Sequence, residues 1–349
     1  MDSKAVQYIL NINFATVIRS PRGGLEVPVP HKASNPEDGR SDWSLGRPRM
    51  TEWKKVEPIY RDWARYNDNL AVRGAKLADL FWLHTYESDL ARMNEGKRGA
   101  PYKYTPGVFL FADALMSAYG VQTRAMEGIL ASIMGLFGLE APDHSTIWLR
   151  VLGIRRELDG PKLSAVCAAD SSGLSVGVRG EWIRDKWGHP ARGYVKIHVL
   201  ADAETHMIAG YLVTDDHAAD VNHLLPLVDD ALSRGCALDY VVADSAYDAA
   251  YNWDGMEERG IAYTAMLRKK GIEKTKLTPQ GRARFEYGRM GEEAWKASRR
   301  YGQRSHVEGT FSDFKRMFGP FVRARKYDNM MKEVERKFAL FNMLKRCTN

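Results

Sequence analysis

Apolar residues recur at helical spacing from about Thr51 to Leu158, and the spacing shortens to that of strands after Gly160. In the first stretch Thr105 reads as an N-cap with Pro106 at the first helical position; VFLFADALMSAY forms the body and Gly120 the stop. A second helix is expected over about Thr123 to Phe137, and a third from Asp143 or Ser145 through DHSTIWLRVLGIRREL. In the second stretch LSAVCAAD, GYVKIHVLAD and HMIAGYLVTDD read as strands, the last two joined by the turn ADAET. An amphipathic helix from Ala219 to Ser233 ends at Gly235; the strand LDYVVAD, a helix over Ala249 to Arg259 and the strand IAYTAML follow. Two further helices are expected over about Arg299 to Phe318 and Met330 to Lys345.

The order three strands, helix, strand, helix, strand, helix is that of an α/β, ribonuclease H-like fold: a mixed five-stranded sheet with helices, in which the ends of the first and fourth strands meet. Those ends are Asp170 and Asp244. The expected organisation is an irregular Pro-, Gly- and charge-rich arm over 1–50, a small all-helical region over 51–160, and the α/β domain with basic C-terminal helices over 161–349. The three short helices fit a helix-turn-helix that turns Ser145, Thr146 and Arg150 towards a DNA groove. They fit a small helical bundle without DNA contact equally well.

Composition narrows the class. A hydrophobic share of 44% in 349 residues supports a sizeable core. The longest mostly apolar run, GILASIMGLFGL, is short of the roughly 20 residues that span a bilayer, so no membrane partner is expected. The opening MDSKAVQYILNINF has no secretory pattern, and three scattered cysteines without C-x-x-C suggest neither a disulfide framework nor a zinc site. A cytoplasmic setting is expected. Charge is divided unevenly: Leu200 to Glu258 carries 13 acids against one base, and Arg268 onward carries 22 bases against 9 acids. An acidic stretch beside a basic one suits a protein that holds cations while gripping a polyanion.

The stretch AADSSGLSVG offers two chemistries. GLSVG matches G-x-S-x-G, with Ser175 as a hydrolase nucleophile, but that elbow needs a helix directly after the serine and VRGEWIRDKWG has no helical period. Asp170, closing an apolar run, reads instead as a metal-binding carboxylate with Asp244. The helix near 299–318 supplies a third acid: at 100° per residue Tyr301, Arg304, Glu308 and Lys315 fall within about 60° of one another, beside an apolar stripe of Val307, Phe311, Phe314 and Phe318. Arg304 and Glu308 are also spaced as an ordinary i,i+4 surface pair. Among other candidates, His217 and His223 read as structural, Asp215 and Asp216 as caps for the next helix, Asp248 as a structural partner and Cys167 as a small core residue. Trp295, just before the helix near 299–318, is a candidate for stacking on a flipped base, with a core or surface tryptophan the favoured reading.

Tyr301, Arg304, Glu308 and Lys315 match in full the Y-x2-R-x3-E-x6-K signature of insertion-sequence transposases of families four and five, and the chain resembles these DDE enzymes from about Leu163 to Phe318. DSSGL at Asp170 and ADSAYD at Asp244 are similar to their first and second acidic blocks, and GEWIRDKWG with YVKIHVLAD to the segment between. DWARYNDNLAVRG and DHSTIWLR resemble their N-terminal helices more weakly, and the first 50 residues have no counterpart. Leu267 to Arg299 leaves little room for the large β insertion of some relatives. The resemblance implies a cut-and-paste DNA transposase using two Mg2+ ions, with Mn2+ as a substitute. Asp170 would bridge the ions, Asp244 and Glu308 would hold one each, Arg304 and Lys315 would grip phosphates, and Tyr301 would contact a phosphate or a displaced base. The implied partners are double-stranded terminal inverted repeats and target DNA, met by a homodimer or higher oligomer associated with a prokaryotic nucleoid. The alternatives are a ribonuclease H-like nuclease without strand transfer and an inactive, domesticated DNA-binding relative.

Overall fold

The computed structural model describes residues 62–176, 194–268 and 277–347. The expected arm over 1–50, the start of the helical region at 51–61 and the GEWIRDKWG segment lie outside the described residues.

The helical stretch forms α1 (Trp63–Leu77), α2 (Phe81–His84), α3 (Tyr86–Asn94), α4 (Pro106–Tyr119), α5 (Thr123–Gly135) and α6 (His144–Gly153). Pro106 opens α4 and Gly120 ends it in the left-handed region at φ 72°, as a glycine stop requires. Asp143 caps α6 by accepting the backbone N–H groups of Ser145 and Thr146. Val108, Phe111, Met126, Leu130, Met134, Ile147 and Val151 share one core, so α4, α5 and α6 bury their apolar faces against one another.

The second stretch builds a sheet. Its strands are β1 (Leu163–Ser164), β2 (Cys167–Val176), β3 (Tyr194–Asp202), β4 (Ile208–Thr214), β5 (Ala237–Leu238), β6 (Tyr240–Ala243), β7 (Ala262–Ala265) and β8 (Phe321–Val322). The main sheet runs β4-β3-β2-β6-β7, with β8 added to the far end of β2; it has six strands rather than the expected five. β2 is antiparallel to β3 and parallel to β6, and β6 is parallel to β7, so first and fourth major strands are neighbours. β1 and β5 pair separately.

Helix α7 (Leu224–Ser233) follows β4, α8 (Ala250–Glu258) follows β6, and α9 (Pro279–Met290) and α10 (Glu292–Ser298) follow β7; α11 (Ser305–Phe318) and α12 (Tyr327–Arg346) close the chain. One sheet face packs Ala168, Leu174, Ile197 and Val199 against Val307, Phe311 and Phe314 of α11 and Phe338 and Phe341 of α12. The other packs Cys167, Ala169 and Leu200 against Leu227 and Val228 of α7, Trp253 of α8 and Trp295 of α10. Side chains alternate along a strand, so a sheet covered on both faces needs apolar residues at successive positions, which is what VCAA supplies.

Three expected boundaries are corrected. β2 does not end at Asp170 but continues to Val176, because its ladder with β3 runs on to Ser175 opposite Tyr194. Gly173 allows this: a Cβ there would lie 3.0 Å from the Tyr194 ring across the ladder. The helix expected from Ala219 begins as a 3-10 turn, Asp220–His223, before α7. Pro226 has no N–H to give the Asn222 carbonyl, so the first turn tightens. Nor do Asp215 and Asp216 cap it: Ala219 holds the cap position, and Asp215 accepts the nearby His217 N–H. The helix expected from Arg299 is broken at Arg300, which takes a left-handed φ of 53°; a 3-10 turn, Tyr301–Arg304, then leads into α11.

Candidate active site

β2 loses one neighbour halfway along its length. Cys167, Ala168 and Ala169 pair with Val241, Val242 and Ala243 of β6, where β6 ends; only at Ser175 and Val176 does β8 take over. Between these points β2 is paired on the β3 side alone, leaving a notch in the sheet. Asp170 and Asp244 are the next residues on each strand after the last pair, so parallel pairing delivers two carboxylates to the mouth of the notch. Asp170 Oδ1 accepts the Ser171 N–H at 2.8 Å. Asp244 Oδ1 accepts the Ala246 N–H at 2.7 Å and so caps the 3-10 turn Ser245–Tyr247. Burial first, and the Asp244 charge with it, raise the Asp170 carboxyl from 3.8 to about 6, against the opposing pull of the Ser171 N–H and Arg304.

The third carboxylate comes from α11. Val307, Phe311, Phe314 and Phe318 anchor that helix to the sheet, which leaves Glu308 exposed on its free side. Arg304 stands between the acids: its Nη2 lies 2.6 Å from Glu308 Oε1, and its Nη1 lies 3.9 Å from Asp170 Oδ2. Lys315 Nζ donates to Ser172 Oγ at 2.7 Å, in the middle of the notch, and burial pushes the pKa of its ammonium below the usual lysine value. Tyr301 belongs to the 3-10 turn rather than to α11, and that turn packs on both β2 and β6. Burial, with the Asp244 charge assisting, raises its hydroxyl above 10. The structure therefore brings Asp170, Asp244, Tyr301, Arg304, Glu308 and Lys315 around one notch.

Among the described residues no three His, Cys, Asp or Glu side chains stand close enough to cage a metal outright. The donors nevertheless fit a hard divalent cation. All are carboxylate oxygens, and two stand near enough that the Asp244 charge opposes ionisation of Asp170. The third is held one arginine away. A cation would offset the burial, and with it the repulsion from Asp244, that keep Asp170 hard to ionise.

Trp295 is corrected to a core residue. It is fully buried against Tyr287, edge to face at 5.5 Å, in the core beneath α9 and α10, and has no surface on which a base can stack. The α6 residues lie away from the notch, on the helical bundle. Thr146 is engaged by its own cap, its hydroxyl donating to Asp143 at 2.8 Å. Arg150 lies over the Phe109 ring at 5.9 Å, and Ser145 is exposed beside Trp148 and Leu149. Ser175 sits within β2, its N–H donating to the Pro320 carbonyl, and not on a strand-to-helix elbow. Asp248 is structural, accepting from Trp253, Gln280 and the Arg268 backbone. Cys167 is buried. His223 stacks on His198 at 4.6 Å, and the exposed His217 approaches Asp216. Sequence reading passed over Lys196, His198, Asp220 and Tyr247, which lie behind the notch. The available signal was Lys196 and His198, two polar residues on a common side of an otherwise apolar strand.

Residues 161–343, just over half of the chain, match a family model described as transposase DDE domain; a second model with the same description matches residues 73–179. No curated protein matches the sequence. Among solved structures, the chain is similar to piggyBac transposase in a synaptic complex with hairpin DNA, at 9% identity and a TM-score of 0.35, covering 78% of this chain and 73% of that one. It is similar to the Drosophila P element transposase strand transfer complex at 12% identity and a TM-score of 0.28, covering 76% and 85%. A simian T-cell lymphotropic virus intasome matches at 11% identity and a TM-score of 0.22, covering 53% and 57%.

Proposed function

Because the chain belongs to the transposase DDE domain family, we propose that it is a cut-and-paste DNA transposase of the kind found in insertion-sequence families four and five. The observation that carries this reading is the notch. Two aspartates stand at adjoining ends of parallel strands, and an Arg–Glu pair leads a helix across them. The sheet order supports a ribonuclease H-like core, and the bundle of α4, α5 and α6 supports a separate part that reads the element's terminal repeats.

In this reading Asp170, Asp244 and Glu308 hold divalent cations, Mg2+ or Mn2+ in its place, which when bound stabilise the attacking and leaving oxygens of phosphodiester exchange. The remaining work belongs to the chain. Arg304, now paired with Glu308, exchanges that carboxylate for a DNA phosphate, freeing Glu308 to turn towards Asp170. Lys315, set by Ser172 in the floor of the notch, holds a second phosphate as a point charge. Tyr301, packed on the ends of β2 and β6, flanks the scissile phosphate from the Asp244 side. In the first reaction water attacks a phosphorus at the element's end; the P–O bond to the 3′ oxygen breaks and a 3′-hydroxyl leaves. In the second, that hydroxyl attacks a target phosphodiester; one P–O bond forms, one breaks, and the target's own 3′-hydroxyl is released. Two or more copies of the chain would hold two ends together.

The test supplies DNA carrying the inverted repeats that flank the protein's own gene, a target plasmid and Mg2+. Joined end–target molecules are expected. Cut ends with no joined product would replace this reading with that of a nuclease.

A further inference from the structure

The notch has a second side that the proposed chemistry does not use. Asp170 and Ser172 face α11, whereas Ser171 and its cross-strand partner His198 face the opposite side of the sheet. There Lys196 and His198, two apart on β3, converge on Asp220, the first residue of the 3-10 turn Asp220–His223. Lys196 Nζ lies 2.8 Å and His198 Nδ1 3.4 Å from Asp220 Oδ1. His198 is fully buried and stacked on His223, so the carboxylate rests on a fixed platform.

That turn is tied to the one Asp244 caps. The Asn252 amide donates to the Val221 carbonyl at 2.9 Å and to the Tyr247 carbonyl at 3.0 Å, and the Tyr251 hydroxyl donates to Asn222 Oδ1 at 2.8 Å. Asp220 is thereby held against the Asp244 side of the notch and against the β3 row that pairs with Ser171. An independent observation points to the same place. Tyr247 is 1% exposed, and its hydroxyl has no hydrogen-bond partner among the described residues. The charges of Asp220, Asp170 and Asp244 all bear on that hydroxyl, and the turn that carries Asp220 packs on the turn that Asp244 caps. Tyr247 packs its ring into the core on this sheet face, yet its hydroxyl is an unpaired buried donor acted on by three carboxylates, which marks a polar spot at the edge of that core. Between Ala169 and Ser175 β2 has no neighbour on this edge, so side chains from both faces of the sheet can meet there.

We infer that Asp220 is a fourth carboxylate of the same centre, reaching the divalent cation held by Asp170 and Asp244 from the sheet face opposite Glu308. The inference rests on the metal-dependent reading above. The competing account makes Asp220 only the ion-pair partner of Lys196.

Two measurements separate these. Mn2+ affinity is read by electron paramagnetic resonance on the full chain without DNA. Asp220→Asn is expected to weaken it about tenfold or more, whereas Lys196→Met, which leaves the carboxylate in place, leaves it unchanged or tightens it. Equal loss in both variants, or an Asp220→Asn affinity within about twofold of wild type, overturns the inference. The second measurement needs no variant: Fe2+ with ascorbate and peroxide cuts the wild-type backbone beside the bound metal. Cuts near 170, 244 and 220 are expected. Cuts at 170 and 244 without any near 220 overturn the role of Asp220 alone, and no cut at 170 or 244 overturns the metal-dependent reading itself.

Discussion

Asp170 occupies a position that suits its chemistry better than it suits the fold. Burial and the facing Asp244 raise its carboxyl from 3.8 to about 6, so the fold holds a proton that the unfolded chain has already released. Between those two values the native state binds more protons than the unfolded one, and stability falls as pH rises through the window. Above about pH 6 the metal-free protein carries the full penalty, on the order of 1–3 kcal/mol. Asp170→Asn is therefore expected to raise the melting temperature in EDTA at pH 7–8 and to lose that advantage near pH 4. Thermal unfolding across pH checks this. A variant that is more stable yet inactive is the signature of a residue kept for function. Trp295 shows the converse. From sequence a core or surface place was favoured over a stacking platform, and the packing of α9 and α10 around it decides for the core.

At the scale of elements, what sequence reveals and what it hides have physical causes. The α4 boundaries and the α6 cap were legible because Thr-Pro, Gly120 and Asp143 act locally, through φ and nearby N–H groups. The continuation of β2 past Asp170 was not legible. Ser171, Ser172 and Gly173 look like a loop because their edge faces the notch, and the β3 ladder that keeps them extended is a long-range contact. The break at Arg300 was hidden in the same way, since nothing in ASRRYGQR lacks helical character strongly enough to announce a left-handed residue. Yet the break matters, for it lets Tyr301 and Arg304 reach β2 and β6 while α11 keeps its own axis. The position of α11 depends on Phe314, which is 1% exposed and packs on Phe318, Phe338 and Phe341 at ring separations of 5.3, 4.8 and 5.9 Å. Phe314→Ala is expected to cost about 3–5 kcal/mol in urea unfolding. It would also loosen Glu308 and Lys315 together, lowering cleavage even where the protein stays folded.

On the scale of the whole molecule, the described residues form one compact unit, and a buried ion network joins its helical and sheet parts. Asp113 of α4, with no exposed surface, is bonded by Arg156 after α6 and by Arg336 of α12, each at 2.9 Å. Arg323, just after β8, adds a bond to the Met116 carbonyl near the end of α4, its guanidinium filling the space beside Gly120. Removing one partner of a buried ion pair leaves the others unmatched, so Asp113→Ala is expected to lower stability by about 3–5 kcal/mol. Differential scanning calorimetry reads this, with the helical part expected to melt first. No described helix is long and apolar enough to cross a membrane.

The claim to which all these scales lead is that Asp170, Asp244 and Glu308 act as one metal-dependent centre on DNA. The most direct measurement is the initial rate of Mg2+-dependent strand cleavage at the element's own end, for wild type and for Asp170→Asn, Asp244→Asn and Glu308→Gln, with end binding measured alongside. Each substitution is expected to lower the rate by roughly a thousandfold or more, while DNA-end binding persists. A wild-type rate in any of the three would contradict the account.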